Sequence, residues 1–319
     1  MLVSFVIPCY RSAKTIRGVV EDIQNIMSTR KEYETEIILV NDCSPDNTIE
    51  VIKALVEKYP NVIGVDIAKN RGQQNAILAG LRQSRGDLVV SCDDDGQTPI
   101  EVIFEMIDKL ENEHYDIVCA NYGERGKRSP FRRLGTFANR QMVKLFLEKP
   151  DEFDVSVFFV ARRFIIEEMS KYENPYPYIS GLILRATHNI GNVDVMQKDR
   201  AAGQSGYNIK KLLGLWVNGL TTFSIKPLRF ATIMGSVLAL LGFLIIIVLV
   251  IQKLINPDMS VGWTSIIATN ILIGGFIMII LGVIGEYIGR IYLSINQSPQ
   301  YVVRQVYYHD ADAEEKEEA

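Results

Sequence analysis

The stretch DLVVSCDDDGQTP, residues 87–99, sets a short apolar run directly against three consecutive carboxylates. A run of this length bounded by turn residues reads as a buried strand. An acidic triplet at its end is costly, because neighbouring charges repel and raise one another's pKa unless something neutralises them. A divalent cation would do so, and carboxylate and amide oxygens suit Mg²⁺ or Mn²⁺. Asp93, Asp95 and Gln97 lie two apart, so an extended segment turns all three to one side and Asp94 to the other, towards solvent or a neighbouring loop. The plainer alternative is a solvated acidic turn, and the surroundings decide between the two.

Those surroundings are regular. VSFVIP precedes a helical pattern from Ile16 to Met27, EIILV precedes Thr48 to Tyr59, NVIGVDIA precedes Asn75 to Ser84, DLVVSC precedes Ile100 to Glu113, and DIVCA follows. Alternation of this kind predicts an α/β fold with a mostly parallel sheet and helices on its faces. Ligands of such sheets sit at the carboxyl ends of the strands. The polar clusters lie there: Pro8-Cys9-Tyr10-Arg11, Asn41 to Asp46, Lys69 to Gly72, and Asp93 to Asp95.

The combination resembles the family-two glycosyltransferases of the GT-A fold. VSFVIPCYRS is similar to their first-strand motif, VNDCSPDNT to their Asp-Asp-Gly-Ser-x-Asp turn, NRGQQNAILAG to their Asn-x-Gly-x-x-x-Ala helix start, and DDDGQTP to their Asp-x-Asp-x-Gln metal motif. RAAGQSGYNIKKL and two apolar runs after it resemble the polyprenyl-phosphate branch, which includes dolichyl-phosphate mannose synthases and bactoprenyl glucosyltransferases. The resemblance implies that Pro8, Tyr10 and Asp42 hold nucleobase and ribose, that Asn70 and Gly72 shape the same pocket, that Asp93 meets ribose or metal, and that Asp95 and Gln97 ligate Mg²⁺ or Mn²⁺ on the diphosphate. Asn41 and Cys43 depart from the pattern, standing where the family has Asp and Gly, and so does Asp94, where the family has a small uncharged residue.

The apolar runs are long. Phe230 to Ile251 carries no charge, nor does Val261 to Gly285, and at ~1.5 Å per residue each spans a hydrocarbon core of about 30 Å. Lys210, Lys211, Lys226 and Arg229 precede the first and Arg290 and Arg304 follow the second, against Lys253 alone between them, which places both ends in the cytoplasm. The start MLVSFVIP has no signal-peptide character. Expected divisions are a cytosolic GT-A domain over 1–208, an interfacial helix over 209–229, a two-helix transmembrane hairpin over 230–288, and a cytosolic tail over 289–319. Residues 137–147 and 209–223 have the pattern of helices lying on a membrane surface, with an ordinary core-facing helix as the alternative for the first. Gly274, Gly275 and Gly282 suggest close helix contact, between subunits of a homo-oligomer as one option.

Four cysteines, Cys9, Cys43, Cys92 and Cys119, lack metal-ligand spacing and read as reduced thiols in or beside apolar runs. Net charge is -4, inflated by the acidic end DADAEEKEEA, and no nucleic-acid partner is expected. A basic, glycine-bearing stretch, NYGERGKRSPFRRLG, contributes Arg128, Arg132 and Arg133 as phosphate-binding candidates, with attraction to anionic headgroups as the alternative.

Sugar transfer from a nucleotide diphosphate needs a stabilised leaving group. A sugar hydroxyl acceptor would also need a general base, whereas a lipid monophosphate, with a second pKa near about 6, is already largely dianionic. The resemblance implies that Arg200, with Ser205 and Tyr207, holds that acceptor phosphate, and that Asp154 stands near the anomeric carbon, orienting groups there. The expectation is an inverting, metal-dependent hexosyl transfer to a polyprenyl phosphate such as undecaprenyl phosphate at the cytoplasmic membrane face, with a UDP-sugar donor ahead of a GDP-sugar. A processive polysaccharide synthase is disfavoured, because neither Trp216 nor Trp263 follows an arginine as its Gln-x-x-Arg-Trp motif requires. A catalytically silent assembly subunit would have no use for Asp93, Asp95, Gln97 and Arg200.

Overall fold

The computed structural model describes residues 1–122, 154–174, 176–196, 226–255, 262–296 and 299–309. Strands β1 (Leu2–Cys9), β2 (Glu34–Asn41), β3 (Val62–Ile67), β4 (Leu88–Ser91), β5 (Ile117–Asn121), β6 (Phe159–Arg162), β7 (Ile190–Asp194) and β8 (Val303–Tyr307) form one sheet in the order β7-β5-β6-β4-β1-β2-β3-β8. The central four, β4-β1-β2-β3, are parallel, as the alternating pattern predicts. Each is an apolar run buried on both faces, which is why these strands read as continuous Val, Ile and Leu.

Helices cover both faces. Those named α1 (Ile16–Met27), α2 (Thr48–Lys58) and α4 (Ile103–Asn112) pack with Phe5, Ile7 and Val90 in one core, while α3 (Gln73–Gln83), α5 (Arg163–Ser170) and α6 (Ile179–Ala186) pack with Val6, Val40 and Val89 in the other. Helix α3 sits close to the sheet because Gly80 faces it: a Cβ there would stand 2.4 Å from Val6 Cγ1 and 3.0 Å from Val40 Cγ2.

Three features differ from the sequence expectation. First, α3 begins at Gln73 rather than Asn75, because Gly72, at φ 85°, turns the chain into the helix in a conformation L side chains rarely adopt. Second, FVAR after Asp154 forms β6, antiparallel between β4 and β5, with Ser91 paired to Phe159.

Third, the segment set apart as a tail returns to the sheet. β8 pairs antiparallel with β3, Val65 opposite Val306, and occupies the edge. Its approach is fastened as well: Arg82 donates to Tyr301 Oη at 2.9 Å, and Gln300 donates to the carbonyls of Tyr172 and Asn174.

Between the domain and β8 lie two long helices, α7 (Lys226–Ile255) and α8 (Trp263–Ile295). Within α8, Leu272–Ile295 is long and apolar enough to cross a membrane; the apolar part described in α7, Ala231–Ile245, is shorter. Both expose large apolar side chains, among them Leu240, Phe243, Leu254, Met278 and Ile279. The helices meet where Gly235 faces Ile280, a Cβ at 235 standing 3.8 Å from Cδ1. Gly274, Gly275 and Gly282 take no part in that contact, since a Cβ at any of them would meet nothing within 4 Å.

Candidate active site

The loops after β1, β2, β3 and β4 converge at the carboxyl edge of the sheet and are closed into a ring by hydrogen bonds from side chains and backbone amides. After β1, the Tyr10 amide and the Ser12 hydroxyl both donate to Asp94 Oδ2, the former at 3.0 Å. This assigns Asp94: within the triplet it turns to the neighbouring loop and ties the first-strand loop to the β4 loop. Burial raises its pKa, opposed by the bonds from Ser12 and Tyr10.

Arg11 N donates to Ser44 Oγ at 2.8 Å and Ser12 N to Thr48 Oγ1 at 3.0 Å, joining the same loop to the one after β2. There Asp42, only 3% exposed, accepts from Arg71 N at 2.7 Å and Gly72 N at 2.8 Å, while Asn70 Nδ2 donates to its carbonyl. Burial raises the Asp42 pKa, with the two amide bonds lowering it in part. Asp42, Asn70 and Gly72 therefore come together as expected, with the carboxylate bound to the 71–72 backbone. Gln73 closes the ring: its Nε2 donates to Asp93 Oδ1 at 2.7 Å.

Pro8 and Tyr10 separate. Pro8 is buried inside β1, paired with Val40, and its nitrogen faces the β4 side beyond Val6, the last residue paired there, so its missing N–H leaves no ladder bond unmade. Tyr10 is 45% exposed, with the Arg11 guanidinium 5.6 Å from its ring centre.

The two departures from the family turn have structural reasons. Cys43 has φ 48°, the left-handed region that glycine enters freely. Asn41 donates from Nδ2 to Asp66 Oδ1 at 2.7 Å and accepts from Ser44 N at 3.1 Å, a double role a carboxylate could not fill.

Asp154 stands in the chain leading into β6 and is bonded to Asn192 on β7, which β5 and β6 separate from β4 in the sheet. The Asn192 amide clamps its backbone, accepting from Asp154 N and donating to Asp154 O, both at 2.7 Å. Arg200, Ser205, Tyr207, Arg128, Arg132 and Arg133 lie outside the described residues.

A family model described as glycosyl transferase family 2 matches residues 4–170, which hold this entire ring of loops. The chain belongs to glycosyl transferase family 2.

It is a glycosyltransferase, and relatives extend the likeness along nearly its full length. A bactoprenol glucosyl transferase of SfII prophage origin from Shigella flexneri is 30% identical over 305 residues, covering 95% of this chain and 98% of that one. An undecaprenyl-phosphate 4-deoxy-4-formamido-L-arabinose transferase from Serratia proteamaculans is 32% identical over 307 residues, covering 95% and 93%. In fold, the chain matches glucosyl-3-phosphoglycerate synthase from Mycobacterium tuberculosis, a structure with Mn²⁺ and UDP-glucose, at TM-score 0.50 and 18% identity over 69% of this chain and 78% of that one.

For this family 2 glycosyltransferase the donor set of the acidic loop fits a divalent cation. Asp93, Asp95 and Gln97 are half-buried and present hard oxygen donors, and Mg²⁺ is commonly held by one or two carboxylates with substrate phosphates filling its remaining positions. Among the described residues no group of three or more His, Cys, Asp or Glu is placed to hold a metal ion. Sequence reasoning missed Ser12, Ser44, Asp46, Thr48 and Gln73 as members of the ring. All five lie within the motif stretches VSFVIPCYRS, VNDCSPDNT and NRGQQNAILAG, where the resemblance gives them no role of their own.

The thiols read as expected. Cys9, Cys92 and Cys119 are buried, Cys43 is half-buried, and all are unbridged. Burial pushes Cys9 and Cys92 well above the ordinary thiol range.

Proposed function

We propose that the protein transfers a hexose, with inversion, from a UDP-sugar to a polyprenyl phosphate at the cytoplasmic face of a membrane. One observation carries the reading: the bonds Tyr10–Asp94, Arg71–Asp42 and Gln73–Asp93 knit nucleotide-side loops and acidic loop into one rigid edge. An edge assembled in this way, with carboxylates that would hold a cation, suits a nucleotide diphosphate bound through that cation.

The acceptor assignment draws on the two relatives whose names specify bactoprenol and undecaprenyl phosphate, matched over nearly the whole chain. The membrane assignment draws on the exposed apolar side chains of α7 and α8, which water would not tolerate as one continuous patch. Because β8 shares a sheet with β1 to β7, β7 and β8 lie on one side of any bilayer. An even number of crossings follows, which supports a hairpin of α7 and α8 over a single span.

In the transfer, an acceptor phosphate oxygen attacks the anomeric carbon as the bond to the nucleoside diphosphate breaks on the opposite face. No proton needs removing from a dianionic phosphate, so no residue is required as general base. Asp154, its backbone clamped by Asn192, orients the sugar, and the exposed Tyr10 ring lies against the nucleoside. Arg200, Ser205 and Tyr207, with Arg128, Arg132 and Arg133, hold the acceptor phosphate. Asp93, Asp95 and Gln97 would hold a divalent cation, which would supply positive charge to the departing diphosphate.

The test is transfer by purified protein in detergent, given undecaprenyl phosphate, Mg²⁺ or Mn²⁺, and labelled UDP- and GDP-sugars. Chelator-sensitive label in the lipid phase from a UDP-hexose is the expected result. Label from no donor, with folded protein, would overturn the proposal.

A further inference from the structure

A chain of polar bonds runs from the strand that follows α8 into the donor side of the site. Arg304, on β8, donates from Nη1 to Asp66 Oδ2 at 2.7 Å and from Nη2 to the Ala68 carbonyl at 3.3 Å. Asp66, at the end of β3 and 2% exposed, accepts on its other oxygen from Asn41 Nδ2 at 2.7 Å. Asn41 in turn accepts from Ser44 N at 3.1 Å, and Ser44 Oγ accepts from Arg11 N at 2.8 Å.

The links depend on one another. A buried carboxylate with no countercharge is strongly unfavourable, and Arg304 is the cation the structure sets against Asp66. With Asp66 held as an acceptor, the Asn41 amide has one workable orientation, NH₂ towards Asp66 and oxygen towards Ser44 N. That orientation shapes the turn carrying Asp42, the residue that binds the backbone of Arg71 and Gly72. An aspartate at 41 would set a second carboxylate against Asp66, so the departure at 41 and the pair Asp66–Arg304 belong together.

We propose that Arg304 is a positioning residue of the donor site: through Asp66 and Asn41 it sets the turn 41–46, so that nucleotide binding depends on the docking of the strand that follows the two apolar helices. Arg304 reaches no reacting atom, and its side chain is 57% exposed, so replacing it opens no cavity in the core, although it leaves Asp66 without its countercharge. The inference rests on the donor-site reading above.

The experiment measures UDP binding by calorimetry, with Mg²⁺, on the full chain in detergent, for wild type, Arg304→Gln, Arg304→Lys, Asp66→Asn and the double variant Arg304→Gln/Asp66→Asn. Arg304→Gln is expected to weaken UDP about five- to twentyfold and to raise the donor KM alike, with kcat within about twofold, as for lost ground-state binding. Arg304→Lys is expected to recover part of the affinity, and the double variant to be no weaker than the worse single one, as for coupled positions. Wild-type affinity in Arg304→Gln, even with a lower melting temperature, would overturn the proposal and leave the donor site standing. Failure of the wild type to bind UDP would bring down the donor-site reading, and this inference with it.

Discussion

Gln73, the first residue of α3, donates its side-chain amide to Asp93 Oδ1 across 2.7 Å, so the helix that packs deepest on the sheet also steadies the first carboxylate of the acidic loop. A hydrogen bond to a charged group contributes about 1.5–3 kcal/mol. Gln73→Ala is expected to slow transfer by at least about tenfold, the factor that ~1.4 kcal/mol represents. The melting temperature should fall by only about a few degrees, since one bond at the sheet edge is lost and no core packing. Steady-state rates beside a thermal scan check it; an unchanged rate would mean that Asp93 is positioned by other contacts.

Asp95→Asn keeps the shape of the acidic loop and its bond from the Gln97 amide, but removes a charge from the proposed cation site. Transfer is expected to fall more than about a hundredfold, a loss of several kcal/mol of leaving-group stabilisation. Excess Mn²⁺ should restore part of it, which a variant that simply misfolds would not show.

Gly80→Ala should destabilise the fold by about 1–3 kcal/mol despite the better helix propensity of alanine, since the new methyl enters a packed layer. The clash is with Val6, a stiff β-branched residue in the central strand, 2.4 Å from the built Cβ. Denaturant melts of the variant against wild type measure it, with Gly18→Ala, where a Cβ meets nothing within 4 Å, as the comparison that carries the propensity gain without the clash.

Acid should loosen the turn after β2. Burial tends to raise the Asp46 carboxyl, but bonds from the Ser44 and Thr48 hydroxyls and from backbone amides outweigh it and hold the pKa below the usual carboxylate range. A depressed folded pKa contributes stability that is present above the unfolded value, about 3.9, and lost as pH falls through the folded one. Asp42, raised by burial, works in the opposite sense: its contribution is full below the unfolded value and lost as pH rises through the folded one. Asp46→Asn should therefore flatten the loss of stability below about pH 4, and Asp42→Asn should not. Melting temperatures across the acid range distinguish them.

Removing residues 299–319 should leave a protein that aggregates, because it strips β8 from β3 and opens a long apolar edge. Removing 310–319 alone keeps β8 and is expected to leave stability and transfer unchanged. Light scattering of the two truncations is the measurement.

The parallel core was legible because its signals are local: apolar runs of strand length, helical periodicity, and polar loops at one end of each run. The clustering of Asp42, Asn70, Gly72 and Asp93 followed from that order of elements. What could not be read is non-local. VRQVY carries too little apolar character to announce a strand, and its partner lies some 240 residues earlier in the chain. Asp94 posed the same difficulty: the expected alternation assumed an extended segment, whereas β4 ends at Ser91 and Gly96 has φ 72°, and only the packing of β1 beside β4 brings Tyr10 and Ser12 to it. FVAR was hidden differently, since β6 passes into α5 with no turn residue between them.

The place of β8 also bears on how the molecule is made. A chain synthesised from its amino end produces β1 to β7, then both long helices, and only then the strand that closes the edge. Until the last residues emerge, the nascent domain carries β3 bare and Asp66 without its arginine. Completion of the sheet is thereby tied to completion of the helices, so a ribosome that stalls between them releases an unfinished sheet rather than a free catalytic domain.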